Sequence, residues 1–267
     1  MKASRVKSKN ASLSRTKFLS FVLPHDGGTE IDMLAVTNHT FPKDAEVSLL
    51  RFGHHTLRLP PHPALPAPVA SHPDMLLFFA PEAIFCTKSY CEIAKNELKD
   101  ISLHYGAPIR CIDAEYGCEY PRDVLLNALP LGSKLFCNTK TVAKELLALG
   151  FSIFHVNQGY TKCSALPLGA RALITADDSI TARAKEDGID VLQIQAGHIS
   201  LCGYDYGFIG GCASFTPKTQ IDSVFFTGDL SKHPDGKIIE SFCQKHGYRT
   251  QSLTNTPLCD TGTIFLI

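Results

Sequence analysis

Side chains able to do covalent chemistry on a small molecule recur along this 267-residue chain at the mouths of apolar runs. Cys163 follows Lys162, whose positive charge would lower the pKa of a neighbouring thiol, and Cys259 stands immediately before Asp260. His198 opens the run HISL, while Asp74, Asp123, Asp205 and Asp260 begin or end apolar segments, with Arg122 beside Asp123. A thiolate attacks electrophilic carbon, an imidazole shuttles protons near neutral pH, and carboxylates hold a flat cation by paired N–H bonds. Polar groups repeated at the mouths of apolar strands are costly unless paired, and a binding site supplies the pairing. Each also has a plain structural reading. Cys163 and Cys259 fit a core as small hydrophobes, His198 fits a surface or capping position, Asp123 an ion pair with Arg122, and Asp260 a turn cap.

The same residues argue against a metal or a cofactor. Ten cysteines are present without a CxxC pair, and several sit in runs such as IFC and LFC, so most are expected to be free core thiols of a reducing compartment. His72-Pro73-Asp74 and His233-Pro234-Asp235 read as turn or helix-start segments, because no second ligand stands at metal spacing. The glycine-rich stretch GYDYGFIGG, residues 203–211, lacks the GK[ST] of a phosphate loop and does not match GxGxxG. Its glycines instead let the backbone approach a pocket closely, with Tyr204, Tyr206 and Phe208 as wall or lid.

What must position these groups is repetitive. Residues 120–159 and 160–197 are copies: an opening tyrosine, an apolar strand, an LPLG turn, a second strand (LFCN or ALIT), a helical stretch ending at Gly150 or Gly188, and a closing strand. Thr139, Thr141, Asp177 and Ser179 are candidate helix N-caps, and the glycines supply the stops. The unit is β-β-α-β. Looser copies run upstream through MLLFFAPEAIFCT, a helix around Cys91 to Leu103 and PIRCID, and downstream through VFFTGD, a helix from Asp235 to Lys245 and YRTQSL. A fifth unit is expected from the chain ends, where residues 261–267 would pair with the segment carrying MLAV, a helix from Lys43 to Phe52 and HTLRLP. The expected fold class is therefore α/β, a five-unit ring or α/β propeller with pseudo-fivefold symmetry. A doubly wound open sheet ranks second, since it needs one strand per helix rather than a hairpin before each.

Composition bounds the rest. Residues 30–267 are expected to form a single domain and 1–29 a basic tail, with six Lys or Arg and no acid in the first seventeen residues. Lys plus Arg and Asp plus Glu both total 26, so no global positive field exists to gather nucleic acid or an anionic membrane. No run approaches the roughly 20 apolar residues of a membrane span and no signal-peptide pattern is present, which gives a cytoplasmic expectation.

Five β-β-α-β units with their first strands about an axis resemble the pentein fold of guanidine-modifying enzymes. YPRD at residues 120–123 is similar to the RD that opens a deiminase unit, GHISL at 197–201 to the histidine-bearing strand, and TPLCDTG at 256–262 to the nucleophile segment. GYDYGFIGG, YPRD and QGYTKCS also resemble a bacterial family of unknown function assigned to this fold. The departure is Ser200, where the histidine segment usually carries a carboxylate. The resemblance implies Cys259 as nucleophile with Cys163 as rival, His198 as acid/base group, and Asp74, Arg122, Asp123, Tyr204, Asp205 and Asp260 around a small, cationic, guanidino-type ligand. It is equally compatible with a hydrolase or amidinotransferase and with a binding protein that keeps the ring without the chemistry.

Overall fold

Short β-β-α-β modules account for most of the chain in the computed structural model, which describes residues 33–218 and 221–267. The expected basic tail lies outside the described residues. The chain begins with β1 (Met33–Thr37), α1 (Lys43–Arg51) and β2 (His54–Arg58), and β2 lies parallel to β1 with Ala35 opposite Thr56. After the proline-rich link comes the single-turn helix α2 (Pro73–Leu76), then β3 (Phe78–Ala80), β4 (Ala83–Thr87), α3 (Lys88–Ile93), α4 (Lys95–Tyr105) and β5 (Ile109–Ile112). The third group is β6 (Leu129–Leu131), β7 (Lys134–Cys137), α5 (Lys144–Leu147) and β8 (Ser152–His155). The fourth is α6 (Thr161–Ser164), β9 (Ala165–Leu168), β10 (Ala172–Thr175), α7 (Asp178–Glu186) and β11 (Asp190–Gln193). Last come β12 (Ser214–Phe215), β13 (Ser223–Phe226), α8 (Gly236–Lys245), β14 (Arg249–Ser252) and β15 (Ile264–Leu266).

Three sheets have one plan, an antiparallel hairpin followed by a helical crossover to a parallel strand: β3-β4-β5, β6-β7-β8 and β9-β10-β11. The chain ends repeat it with the hairpin supplied by both termini of the described chain, because β15 lies antiparallel to β1 (Ala35 opposite Leu266) and β2 follows through α1. That pairing is the one expected from the sequence.

One reading changes. LPL at 129–131 and within 165–168 is strand, not turn: Pro130 faces Leu135 and Pro167 faces Leu173 in the ladders. A proline removes one N–H, and β6 and β9 tolerate it because both are edge strands. The turns themselves fall at Gly132 and Gly169, whose φ of 61° and 64° only glycine adopts without strain.

Two helix starts are capped by side chains: Asp177, an expected cap, accepts from the Ile180 amide at 2.9 Å, and Thr87 accepts from Tyr90 at 3.2 Å, each satisfying a first-turn N–H. Thr139 and Thr141 do not cap as expected, since α5 starts only after Ala143 and has no side-chain cap. Apolar faces then close on the sheets, the largest cluster joining Leu76, Phe79, Ile84, Leu98, Ile101 and Leu135. Burying each such side chain is worth about 1.5–3 kcal/mol.

Most cysteines are free, and Cys86, Cys137, Cys163, Cys212 and Cys243 are buried. That most are free is as expected; Cys91 and Cys111 are the exception, forming a disulfide between α3 and β5. They are 20 residues apart in sequence, and the parallel β4–β5 crossover brings them together.

Candidate functional site

Two single-turn helices set into the strand mouths carry the central groups. α2 starts at His72 with Pro73 fixing its first turn, and this buries Asp74 at 1% exposure; α6 buries Lys162 and Cys163. The Asp74 amide donates to the Gly262 carbonyl at 3.1 Å, so the segment leading into β15 holds α2 in place.

A polar network fills the space between them. Asp74 Oδ2 lies 2.7 Å from the Thr263 hydroxyl and 3.1 Å from Cys163 Sγ. Lys162 Nζ donates to Thr263 Oγ1 at 3.0 Å and sits 5.1 Å from the centre of the Phe215 ring, a cation–π contact. Asn127 ties the two helices together: its Oδ1 accepts from the amides of Lys162 (2.8 Å) and Cys163 (3.2 Å), and its Nδ2 donates to the Asp74 carbonyl (3.1 Å) and to Cys163 Sγ (3.0 Å). Asp260 accepts from the Phe208 and Gly262 amides, both at 2.9 Å, and its Oδ1 is 3.8 Å from His72 Nδ1. The Tyr160 hydroxyl donates to Asp123 Oδ2. The second oxygens of Asp74 and Asp123 are buried and have no hydrogen-bond partner among the described residues.

Burial sets the protonation of these groups. It raises the Asp74 carboxyl, an effect that His72, Lys162 and Thr263 partly oppose, and it lifts Asp260 to about 6 despite two N–H donors. It holds His72 below its ordinary value and lowers Lys162. The Cys163 thiol is pushed well up, first by burial and then by Asp74 and Asp260. The sequence expectation that Lys162 would lower it is reversed, since desolvation and two carboxylates outweigh the one cation.

A cavity of about 210 Å³ opens onto this network, walled by His72, Cys163, Asp260, Tyr160, Phe208 and Tyr204. A larger one, about 310 Å³, lies among the Gly132 and Gly169 hairpin turns; among the described residues, Lys218 and Tyr248 are the titratable side chains lining it. The buried thiol, imidazole and carboxylate meet at the smaller one. The glycine-rich stretch has the role expected of it: a Cβ at Gly211 would fall 2.1 Å from Asp260 Oδ1, and one at Gly207 2.4 Å from Asp260 Cβ.

The structure thus brings Cys163, Asp260 and Tyr204 to one cavity, with Asp205 on its wall, Asp74 against Cys163 and Asp123 behind Tyr160. Arg122 is exposed, its guanidinium 3.5 Å from the Glu115 carbonyl, and forms no ion pair with Asp123. His198 is exposed and packs edge-on against His233 at 5.6 Å. Cys259 is half-buried, 3.8 Å from the Asp260 carbonyl, and does not line the cavity; its neighbour Asp260 does, because successive residues of an extended segment face opposite sides. Asn127, Thr263 and Tyr160 were not singled out as site residues by sequence reasoning. The signal for Asn127 was present as one amide inside the apolar run VLLNALP.

A family model, described as a family of unknown function (DUF6873), matches residues 36–265. No curated protein matches the chain. Among solved structures, dimethylarginine dimethylaminohydrolase (DDAH) from Pseudomonas aeruginosa, a cysteine-to-serine mutant complexed with citrulline, superposes with a TM-score of 0.51 at 10% identity, over 82% of this chain and 90% of that one. A dimethylarginine dimethylaminohydrolase adduct with S-methyl-L-thiocitrulline gives 0.50 at 10% identity, over 83% and 92%. The amidinotransferase SxtG from Microseira wollei gives 0.46 at 11% identity, over 79% and 76%. The chain is a member of the DUF6873 family of unknown function, and its fold is the pentein fold.

Proposed function

We propose that residues from about 30 onward form one five-unit pentein ring whose axial cavity takes a small guanidino-type cation and presents it to Cys163, as a cysteine-dependent hydrolase or amidinotransferase. The observation that carries this reading is the Cys163–Asp74 contact of 3.1 Å at a cavity shared with His72 and Asp260. Asp205 and Asp260 line the cavity and Asp74 and Asp123 are buried behind its wall, so carboxylates outnumber the one buried cation, Lys162, and the field in the cavity favours a guanidinium. Its charge would favour ionisation of the thiol that burial and the carboxylates now oppose.

The step is balanced by groups in contact. Sulfur of Cys163 forms a bond to the guanidinium carbon while its proton passes to Asp74 Oδ2, whose raised pKa suits it to accept. The C–N bond to the leaving amine then breaks, with a proton returned from the Asp74 carboxyl. Water or an acceptor amine displaces sulfur from the resulting thiouronium carbon and restores the thiol.

The likeness to dimethylarginine dimethylaminohydrolase structures supports the choice of ligand class, as does the carboxylate excess. A binding protein without chemistry is the second reading, favoured by the protonated state of Cys163. A thermal-shift panel of arginine, agmatine, methylarginines and creatine against anionic metabolites tests the ligand. Mass-spectrometric labelling with a cationic haloacetamidine beside neutral iodoacetamide tests the thiol. Stabilisation by guanidino compounds with preferential amidine labelling of Cys163 is expected. Stabilisation by anions alone overturns the ligand class, and amidine labelling that skips Cys163 leaves the binding reading.

A further inference from the structure

A second sulfur-rich site lies apart from the cavity. Cys86 ends β4, Cys111 faces it in register on the parallel strand β5, and Cys91 sits one turn into the crossover on α3. Paired residues of neighbouring strands point to the same side, so all three sulfurs meet there and lie within 4.8 Å of one another. Cys86 Sγ is 3.1 Å from Cys91 Sγ. The trio runs from buried (Cys86) through intermediate (Cys91) to exposed (Cys111), so one side of the cluster is open to solvent.

We propose that, once the Cys91–Cys111 disulfide is reduced, Cys86, Cys91 and Cys111 form a three-thiolate site for a thiophilic d10 cation of the Zn2+ type, with solvent at the fourth position. Zn–S bonds of about 2.3 Å in a tetrahedron require sulfurs about 3.8 Å apart, a spacing within the range these three already span. Thiolate sulfur is the donor such ions select. Glu115 adds a negative field beside the site. The three ligands come from strand, helix and neighbouring strand, so the ion would clamp the β4-α3-β5 crossover. Its role would be structural and independent of the chemistry at Cys163.

Entry of the ion needs a reductant. A phosphine takes up the disulfide's oxidising equivalents with one water, giving phosphine oxide and two thiols, and Zn2+ then displaces up to three thiol protons.

The test uses the full chain, reduced with a water-soluble phosphine, exposed to Zn2+ and then freed of unbound metal by gel filtration. One zinc per chain is expected, with Co2+ in its place giving a near-ultraviolet thiolate-to-metal band and a melting point raised by several degrees. Cys111→Ser, at an exposed position, should cut Zn2+ affinity at least tenfold and abolish the cobalt band while the protein still folds. Cys86→Ser should do the same and leaves the disulfide partners untouched. Cys137→Ser is the control and should retain the metal. Zinc retained equally by all variants, or by none including the reduced wild type, overturns the proposal.

Discussion

Raising the pH from 5 to 7 should tighten binding of the proposed small cation in the cavity walled by His72, Cys163 and Asp260 about tenfold. Asp260 is fully enclosed and its pKa is lifted from 3.8 to about 6, because burial outweighs the Phe208 and Gly262 amides and the charge of Lys162. About nine-tenths of these carboxyls are then ionised at pH 7 and about one-tenth at pH 5, so a ligand that binds only the carboxylate loses about tenfold in affinity on acidification. The ligand-free protein responds in the opposite direction. A carboxyl that holds its proton more tightly when folded contributes stability that is fully present below pH 3.8 and is lost as pH rises through about 6, an effect of about 3 kcal/mol. Calorimetric titration of agmatine between pH 5 and 8, beside urea melts of the ligand-free protein, reads both slopes. Asp260→Asn should remove the Asp260 contribution to both slopes, leaving the one due to Asp74, whose carboxyl burial also raises. An affinity that does not change with pH, or a slope in the variant equal to that of the wild type, refutes the placing of the ligand against Asp260.

Three substitutions probe the scaffold of the site, with Gly188→Ala as a control away from it. Lys162→Met removes the buried donor to Thr263 and the positive charge that opposes the rise of the Asp74 carboxyl, and should cost about 1–3 kcal/mol in urea unfolding; no measurable loss counts against the network. Asn127→Ala strands the amides of Lys162 and Cys163 and should cost about 3 kcal/mol, with faster native labelling of Cys163 as α6 loosens. Gly210→Ala would set a Cβ 2.3 Å from the carbonyl oxygens of Lys162 and Ala165 and should cost more than about 4 kcal/mol. Gly188→Ala, with nothing within 4 Å but a φ of 72°, should cost only about 1–2 kcal/mol in the same assay.

The modular plan was legible because each module announces itself locally. Asp177 marks a helix start, Gly150 and Gly188 mark stops, and the hairpins are punctuated at Gly132 and Gly169. The pairing of MLAV with the last strand was legible too, because each end was a strand with no local partner. The candidate site was half legible. Asp74, Asp123 and Asp260 stood out as acidic residues at the ends of apolar runs, and the structure buries all three. Which of Cys163 and Cys259 faces the cavity turned on one residue of register. Alternation sends Asp260 inward and Cys259 away, and a short extended segment without a long ladder does not reveal its register in sequence. Asn127 looked like an interruption because its partners, Asp74 and Cys163, lie 53 and 36 residues away. The Cys91–Cys111 bridge was hidden for the same reason, since only the crossover that joins β4 to β5 makes the two neighbours.

The strand β15 lies inside its sheet, between β12 and β1, and the residues just before it, Asp260 to Thr263, complete the polar network around Asp74. During synthesis this segment is the last of the described chain to leave the ribosome, so the β3, β6 and β9 hairpins can form in sequence while the cavity has no floor. Until then β1 offers an unpaired flank and Asp74 lacks the hydroxyl that holds it. A chain ending before Asp260 would therefore carry folded modules without the hydroxyl and amides that complete the network around Asp74 and His72.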